Sequence, residues 1–485
     1  LVFVGDLNLS VHFFPKSKTL ISFFIVSYLL TTLAIGFWAS KKIKTSGDFT
    51  LAGKSLSTSF VGVTLFATWF GSTQIMGNPS RFIEDGAQAF FTLIVSSGIS
   101  LAIIGLFYAR KLYRMNIVTV GDFFRIKYNK KLELVSSIIM VLSYPHWIAA
   151  QFVALAYLFN AILGIPIDYG IFLSASIVVL YTYIGGMWAV SYTDMIQSIM
   201  ILLGLGILLY QVLDQTGGIA PIFENQPKEF FQFFPTGGLD DWSDYIALLL
   251  AFIVGVIPVQ EVYQRVFSAK NERAAVNGLF LAAILLVAIP SVPLLIGLGG
   301  VHLHPELLDA QVGQKIIPTL VTMFTSVPVQ ILFYGAMISA ILSTSSGAML
   351  SPATVIGENL IKPYAPHFSD KKLLLYTRLS VIVIAGFSCY FAFDDSDIVG
   401  LVEASLGLII VCLFAPFTFG LFWKKSSLVG AWLAVILGAS TWLFCYLFDT
   451  RIDATIYGFV ISCLSMVIGS LVFPNQICER KGLVK

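Results

Sequence analysis

Apolar residues run through this chain in long unbroken blocks, and polar residues gather in the short breaks between them. A bilayer core takes about 20 helical residues to cross. By that length we read about thirteen spans: Leu20–Ser40, Ser57–Asn78, Ala87–Ala109, Leu132–Ile162, Pro166–Ile184, Ala189–Leu213, Tyr245–Phe267, Ala274–Gly300, Val327–Thr354, Leu373–Phe393, Ile398–Phe422, Leu428–Phe448 and Ala454–Phe473. The blocks lack the alternation of a β-barrel strand. Helices satisfy their own backbone in lipid, so the pattern predicts an all-α integral membrane protein. No long polar stretch divides the blocks, so residues 1–485 read as a single transmembrane domain. The leading residues carry no cleavage pattern, and the first span reads as a retained helix.

Composition supports this. Of 485 residues, 57% are hydrophobic and only 12% charged, too few charges to clothe a soluble surface. A net charge of +2 gives no reason to expect nucleic acid, and nothing in the pattern implies a protein partner. The five cysteines (Cys389, Cys412, Cys445, Cys463 and Cys478) show no zinc or disulfide spacing and read as packing residues.

The basic residues have a topological explanation. With the N-terminus outside and the C-terminus cytoplasmic, 23 of the 29 Lys and Arg fall in inside segments, including Lys41, Lys42, Lys44, Arg110, Arg125, Arg265, Lys362, Arg480, Lys481 and Lys485. That predicts a multi-pass protein of the plasma (inner) membrane.

Two spans carry interruptions. The second holds Ala67-Thr68-Trp69-Phe70-Gly71-Ser72-Thr73-Gln74 and the seventh Gly255-Val256-Ile257-Pro258-Val259-Gln260-Glu261. Unwound backbone at membrane depth survives only where it lines a cavity. The breaks lie five spans apart and so face opposite ways, as an inverted repeat of five plus five helices predicts. The repeats run over 57–213 and 245–422, leaving 20–40 as an extra N-terminal helix and 428–473 as two extra C-terminal ones. Gly and Pro are also common in membrane helices for no functional reason.

In the ninth span, Ser343 and Ser346 share a face with Thr344 beside it. Such neutral oxygens suit a hard monovalent cation; packing through small residues is the plainer reading. Asp194 is an intramembrane carboxylate, a functional candidate or an interfacial cap. Glu261 and Arg265, four apart, suggest an intrahelical ion pair at the inner mouth, or else a Glu261 that faces the cavity. Glu403 suggests the outer vestibule. No base–orienter set marks an enzyme.

Gly185-Gly186-Met187-Trp188-Ala189-Val190-Ser191-Tyr192-Thr193-Asp194-Met195-Ile196-Gln197, Ala340-Ile341-Leu342-Ser343-Thr344 and Gly420-Leu421-Phe422-Trp423-Lys424-Lys425 resemble the sodium:solute symporter family over nearly the whole chain. The resemblance implies a leucine-transporter-like core, sodium as coupling ion and uptake of a small organic solute by alternating access. It implies sodium ligands at Ala67, Phe70, Ala340, Ser343 and Thr344. Some members hold a second sodium at positions matching Asp194, Ser343 and Ser346, where a further hydroxyl is replaced here by Gly347. The solute would bind near Thr68, Trp69, Gln74, Trp147, Gln151, Gln260 and Tyr263. Local motifs around Trp69, His146-Trp147 and Gln264-Arg265 look most like the choline transporters of the family, which implies choline or another quaternary amine held by cation–π attraction. A third aromatic expected on the seventh span is Val259 here. A proton-coupled symporter on the same fold, a channel and a sensor-type receptor are the alternatives.

Overall fold

The computed structural model describes residues 15–41, 45–224, 226–308, 313–394, 397–448 and 450–474. Lys42, Lys44, Cys478, Arg480, Lys481 and Lys485 lie outside them. Among the described residues the secondary structure is helical, with one isolated bridge between Leu56 and Ala269. Among the described residues eleven helices are long and apolar enough to cross a membrane, and Leu20–Thr32 and Thr58–Trp69 are shorter apolar helices. The perimeter carries Phe23, Leu106, Tyr390 and Leu464, all exposed, as side chains bathed in lipid would be.

The helices are α1 (Pro15–Ser40), α2 (Ser46–Leu51), α3 (Thr58–Trp69), α4 (Asn78–Asp85), α5 (Ala87–Arg114), α6 (Val120–Lys127), α7 (Lys130–Leu163), α8 (Ile167–Trp188) and α9 (Val190–Thr216). They continue as α10 (Leu239–Leu249), α11 (Gln260–Ser268), α12 (Glu272–Ala288), α13 (Ser291–Leu303), α14 (Val327–Val355), α15 (Asp370–Asp394), α16 (Ile398–Phe422), α17 (Leu428–Leu447) and α18 (Ala454–Val472).

Both expected interruptions are present. Helix α3 stops at Trp69, and Phe70 leaves helical geometry at φ −88°, ψ 65°. A wide turn, Thr73–Gly77, then leads into α4. The second span therefore runs on to Asp85 rather than ending at Asn78, because its far half is the polar, Pro79-started α4. After α10 and the wide turn Leu250–Gly255, residues 256–259 form tight turns before α11 starts. Pro258 has no N–H to offer a helix here.

Two further departures from the sequence expectation have local causes. The fifth and sixth spans join through an elbow at Gly186 rather than a polar loop, at φ 50° and ψ −159°. An added Cβ there would meet Phe49 Cδ2 at 2.5 Å, so only glycine fits. The ninth span continues past Thr354 through the wide turn Ile356–Ile361.

Helix α14 is the spine of the bundle. Its residues from Phe333 to Val355 are buried, and it packs against α3, α7 and the α8–α9 pair. Small side chains permit that closeness. The terminal hairpin α17–α18 uses the same device: Gly430 backs onto Gly469 and Ser470, and Gly438 onto Ser462.

Candidate functional site

The break after α3 faces α14. The Thr344 hydroxyl lies 3.3 Å from the Ala67 carbonyl and 3.1 Å from that of Ala340, four residues back on its own helix. Across the same gap Gln151 of α7 accepts the Ser72 N–H at 3.0 Å, taking a donor that the broken helix leaves without a carbonyl. A Cβ on Gly71 would sit 2.5 Å from Thr344 Oγ1 and 2.6 Å from Gln151 Oε1. The glycine thus allows both neighbours to close on the unwound backbone. Ala67, Phe70, Ala340, Ser343 and Thr344 are all buried, and the Thr344 hydroxyl with the Ala67 and Ala340 carbonyls brings three oxygens together. Neutral oxygen donors of this kind suit sodium.

Beside this pocket lies a cluster of ionisable groups. Asp194 on α9 accepts the Ser343 hydroxyl through Oδ1, while its Oδ2 is buried without a hydrogen bond. Ser346 turns its own hydroxyl back to the Ser343 carbonyl at 2.9 Å. Arg265 on α11 is fully buried. Its Nη2 donates to Thr68 Oγ1 at 2.8 Å and its Nη1 to the Glu261 carbonyl at 3.4 Å. The expected Glu261–Arg265 side-chain ion pair at the inner mouth is not formed: among the described residues no salt bridge joins them. The guanidinium turns inward to the first broken helix instead, so Arg265 does not belong with the basic residues of the inner loops. Glu261 is fully buried as well, and its two carboxylate oxygens make no hydrogen bond of normal geometry. Trp69 lies close enough to act on that carboxylate.

A cavity opens on the other side of Trp69. It is lined by Trp69, Thr73, Gln74, Ser97, Tyr144, Trp147, Phe252, Val259, Val402, Ser405, Leu406 and Ile409, with no acid or base among them. About 40 Å³ of it admits the centre of a water molecule. The rings of Trp69 and Trp147 meet edge-on, 6.0 Å apart at 74°, and Trp147 stacks on Tyr144 at 6.1 Å. Tyr144 receives the Glu261 backbone N–H on its hydroxyl at 3.2 Å, which fixes the phenol against the second break.

Of the seven residues expected to touch solute, Trp69, Gln74 and Trp147 line this cavity. The other four do different work. Thr68 faces Arg265, and Gln151 pins the break at Ser72. Gln260 accepts the Val120 N–H at 2.7 Å, tying α11 to α6. Tyr263 packs between Phe267 and Phe417. Thr68, Gln260 and Tyr263 lie next to a break in sequence, but a helix turns about 100° per residue and presents its neighbours elsewhere. Tyr144, Phe252 and Ser97 were not anticipated; Tyr144-Pro145 in mid-span was the available signal.

At the basic end of the bundle, α6 is stapled down by a buried polar network. Asp122 caps its own helix start, accepting from the Val118 and Thr119 N–H groups at 3.0 and 3.1 Å. Asn359 accepts the Thr119 hydroxyl at 2.6 Å and donates to Glu133 at 2.8 Å and Asp122 at 3.3 Å. Arg125 completes the network with Asp122 at 2.8 Å and Glu133 at 3.2 Å. These contacts join α6, α7 and the wide turn Ile356–Ile361 that follows α14, and Gln260 adds α11.

The model of the sodium:solute symporter family matches residues 49–438. The high-affinity choline transporter 1 of Caenorhabditis elegans is 28% identical over 443 residues, covering 85% of this chain and 76% of that protein. The sodium/glucose cotransporter of Vibrio parahaemolyticus is 26% identical over 452 residues, covering 84% and 82%. Among solved structures, the substrate-bound, outward-open state of a Na+-coupled sialic acid symporter superposes with a TM-score of 0.79 at 21% identity, covering 95% of this chain and 99% of that one.

Proposed function

This chain belongs to the sodium:solute symporter family and is a sodium-coupled symporter on a leucine-transporter-like fold, and from that premise we propose that its solute is choline or another compact quaternary ammonium. The observation that carries this reading is the cavity wall. Trp69, Tyr144, Trp147 and Phe252 supply four aromatic rings, and no Lys or Arg is present to receive a carboxylate. A quaternary ammonium has no proton to donate, and aromatic faces are the surface that attracts it, at roughly 0.5–2 kcal/mol per contact. Tyr144 supplies the aromatic wall that Val259 does not.

The sodium is held by the carbonyls of Ala67, Phe70 and Ala340 with the hydroxyls of Ser343 and Thr344. It bridges the unwound α3 end to α14 and so orders Trp69, two residues beyond Ala67, against the cavity. Coupling follows because ion and solute favour the same arrangement of the break; equal affinity for both arrangements would shift nothing. Release inward requires the network around Asn359, at the cytoplasmic end in this reading, to open. The protein lies in the plasma or inner membrane with its N-terminus outside.

The experiment is uptake into proteoliposomes of labelled choline, proline, glucose and pantothenate, each with sodium and with potassium. Sodium-dependent choline uptake, unaffected by excess of the other three, is the expected result. Saturable uptake of a carboxylate or sugar without choline competition overturns the substrate assignment. Uptake that follows a pH gradient and ignores sodium would overturn the ion site.

A further inference from the structure

We infer that Glu261 is a positioning residue for the solute cavity: its buried carboxyl group takes the indole N–H of Trp69 and so sets the angle of that ring in the cavity wall. The inference rests on the aromatic cavity proposed above as the solute site, and adds a residue that does not itself line it.

Glu261 sits at the edge of that cavity. Its helix α11 begins one residue after Val259, which lines the cavity together with Trp69, Tyr144 and Trp147. Its backbone N–H meets the Tyr144 hydroxyl at 3.2 Å. One turn on, Arg265 donates to Thr68, the residue before Trp69, at 2.8 Å. The start of α11 thus lies against the end of α3, and the Glu261 side chain comes within reach of the Trp69 indole.

The two groups are left to each other. Both Glu261 carboxyl oxygens and Trp69 Nε1 are buried without a hydrogen bond of normal geometry. Arg265 directs Nη2 to Thr68 and Nη1 to the Glu261 carbonyl, not to the Glu261 side chain. A fully buried acid whose oxygens tie down nothing is a cost to the packing rather than a support. An indole has one donor and no acceptor, so an acceptor placed here is what can hold the ring by hydrogen bonding. A carboxyl oxygen accepts that N–H whether or not the group is ionised. The bond spans both interruptions, with Trp69 at the first and Glu261 just past the second. The ring is therefore oriented only while the two breaks face each other.

NMR of purified full-length protein carrying nitrogen-labelled tryptophan tests the link without any solute. The Trp69 indole N–H signal, picked out among the eight tryptophans by its loss in Trp69→Phe, should shift in Glu261→Leu. It should return close to its wild-type position in Glu261→Gln, which keeps an acceptor. A Trp69 signal unmoved by Glu261→Leu overturns the inference. The role in binding is read with choline at saturating sodium. Glu261→Leu should weaken choline binding by roughly 3- to 10-fold, the equivalent of ordering one loose side chain on binding, with sodium binding unchanged. In protein already carrying Trp69→Phe, the same substitution should change choline binding less than about twofold, because no N–H remains to orient. Losses that simply add in the double variant, or equal losses of choline and sodium binding, assign Glu261 a general packing role and overturn the inference. If the wild-type protein binds no choline, the solute reading fails, and the indole signal alone decides whether Glu261 holds Trp69.

Discussion

The hydroxyl of Thr344 donates to the carbonyl of Ala67 across 3.3 Å, joining the spine helix α14 to the last turn before the break in α3. The bond is long for a hydroxyl donor, whose usual distance is about 2.7–2.8 Å. A cation between these oxygens would replace a weak contact with strong ones.

Replacing both Ser343 and Thr344 with alanine should raise the sodium concentration for half-maximal uptake by about tenfold or more, the equivalent of 1.4 kcal/mol. Sodium titrations of uptake at fixed solute read this out. A double variant with wild-type sodium dependence would reject the site.

Gly71→Ala places a methyl 2.5 Å from Thr344 Oγ1 and 2.6 Å from Gln151 Oε1. Overpacking of this kind costs about 1–3 kcal/mol. The sodium-free midpoint of thermal unfolding should fall by that cost, and the further rise that sodium gives to the midpoint should be mostly lost in the variant. Full retention of the sodium-induced shift would show that the break does not touch the ion.

Tyr144→Leu should weaken choline binding by about 3- to 30-fold, the span of one cation–π contact. Tyr144→Phe keeps the ring and should retain most of the affinity. Sodium binding alone should be unmoved in both. If leucine and phenylalanine behaved identically, the ring would not be part of a cage.

Asn359→Leu removes a buried side chain that accepts from Thr119 and donates to Glu133 and Asp122. Leaving such partners unsatisfied costs about 1–3 kcal/mol. Hydrogen exchange in α6, Val120–Lys127, should quicken by one to two orders of magnitude, roughly as that cost implies. Protection equal to wild type would mean that α6 is held by other contacts.

The sequence made the helical architecture and both breaks visible because hydrophobic length and Gly/Pro placement act locally. Of the proposed sodium ligands, Ala67 and Phe70 lie at the break after α3, whereas Ala340, Ser343 and Thr344 lie in the unbroken α14 and are expected as ligands only from the family resemblance. Solute contacts were harder. Thr68 and Trp69 are adjacent, yet one faces Arg265 and the other the cavity. Only the rotation of α3 in the bundle decides which. Tyr144 lies in another helix altogether, and no local pattern ties it to Trp69. Arg265 was misread because a basic residue near a span end looks like a topology signal; its inward turn depends on Gly347, distant in sequence.

The elbow at Gly186 constrains how this protein can be engineered. Phe49 of α2 is wedged against a glycine whose backbone no other residue adopts comfortably. An epitope, fluorophore fusion or protease site inserted between α8 and α9 would therefore evict that wedge and shear two helices apart. Reporter tags belong on the connection between α9 and α10, where Gly217, Gly218 and Gly238 each have open space around them.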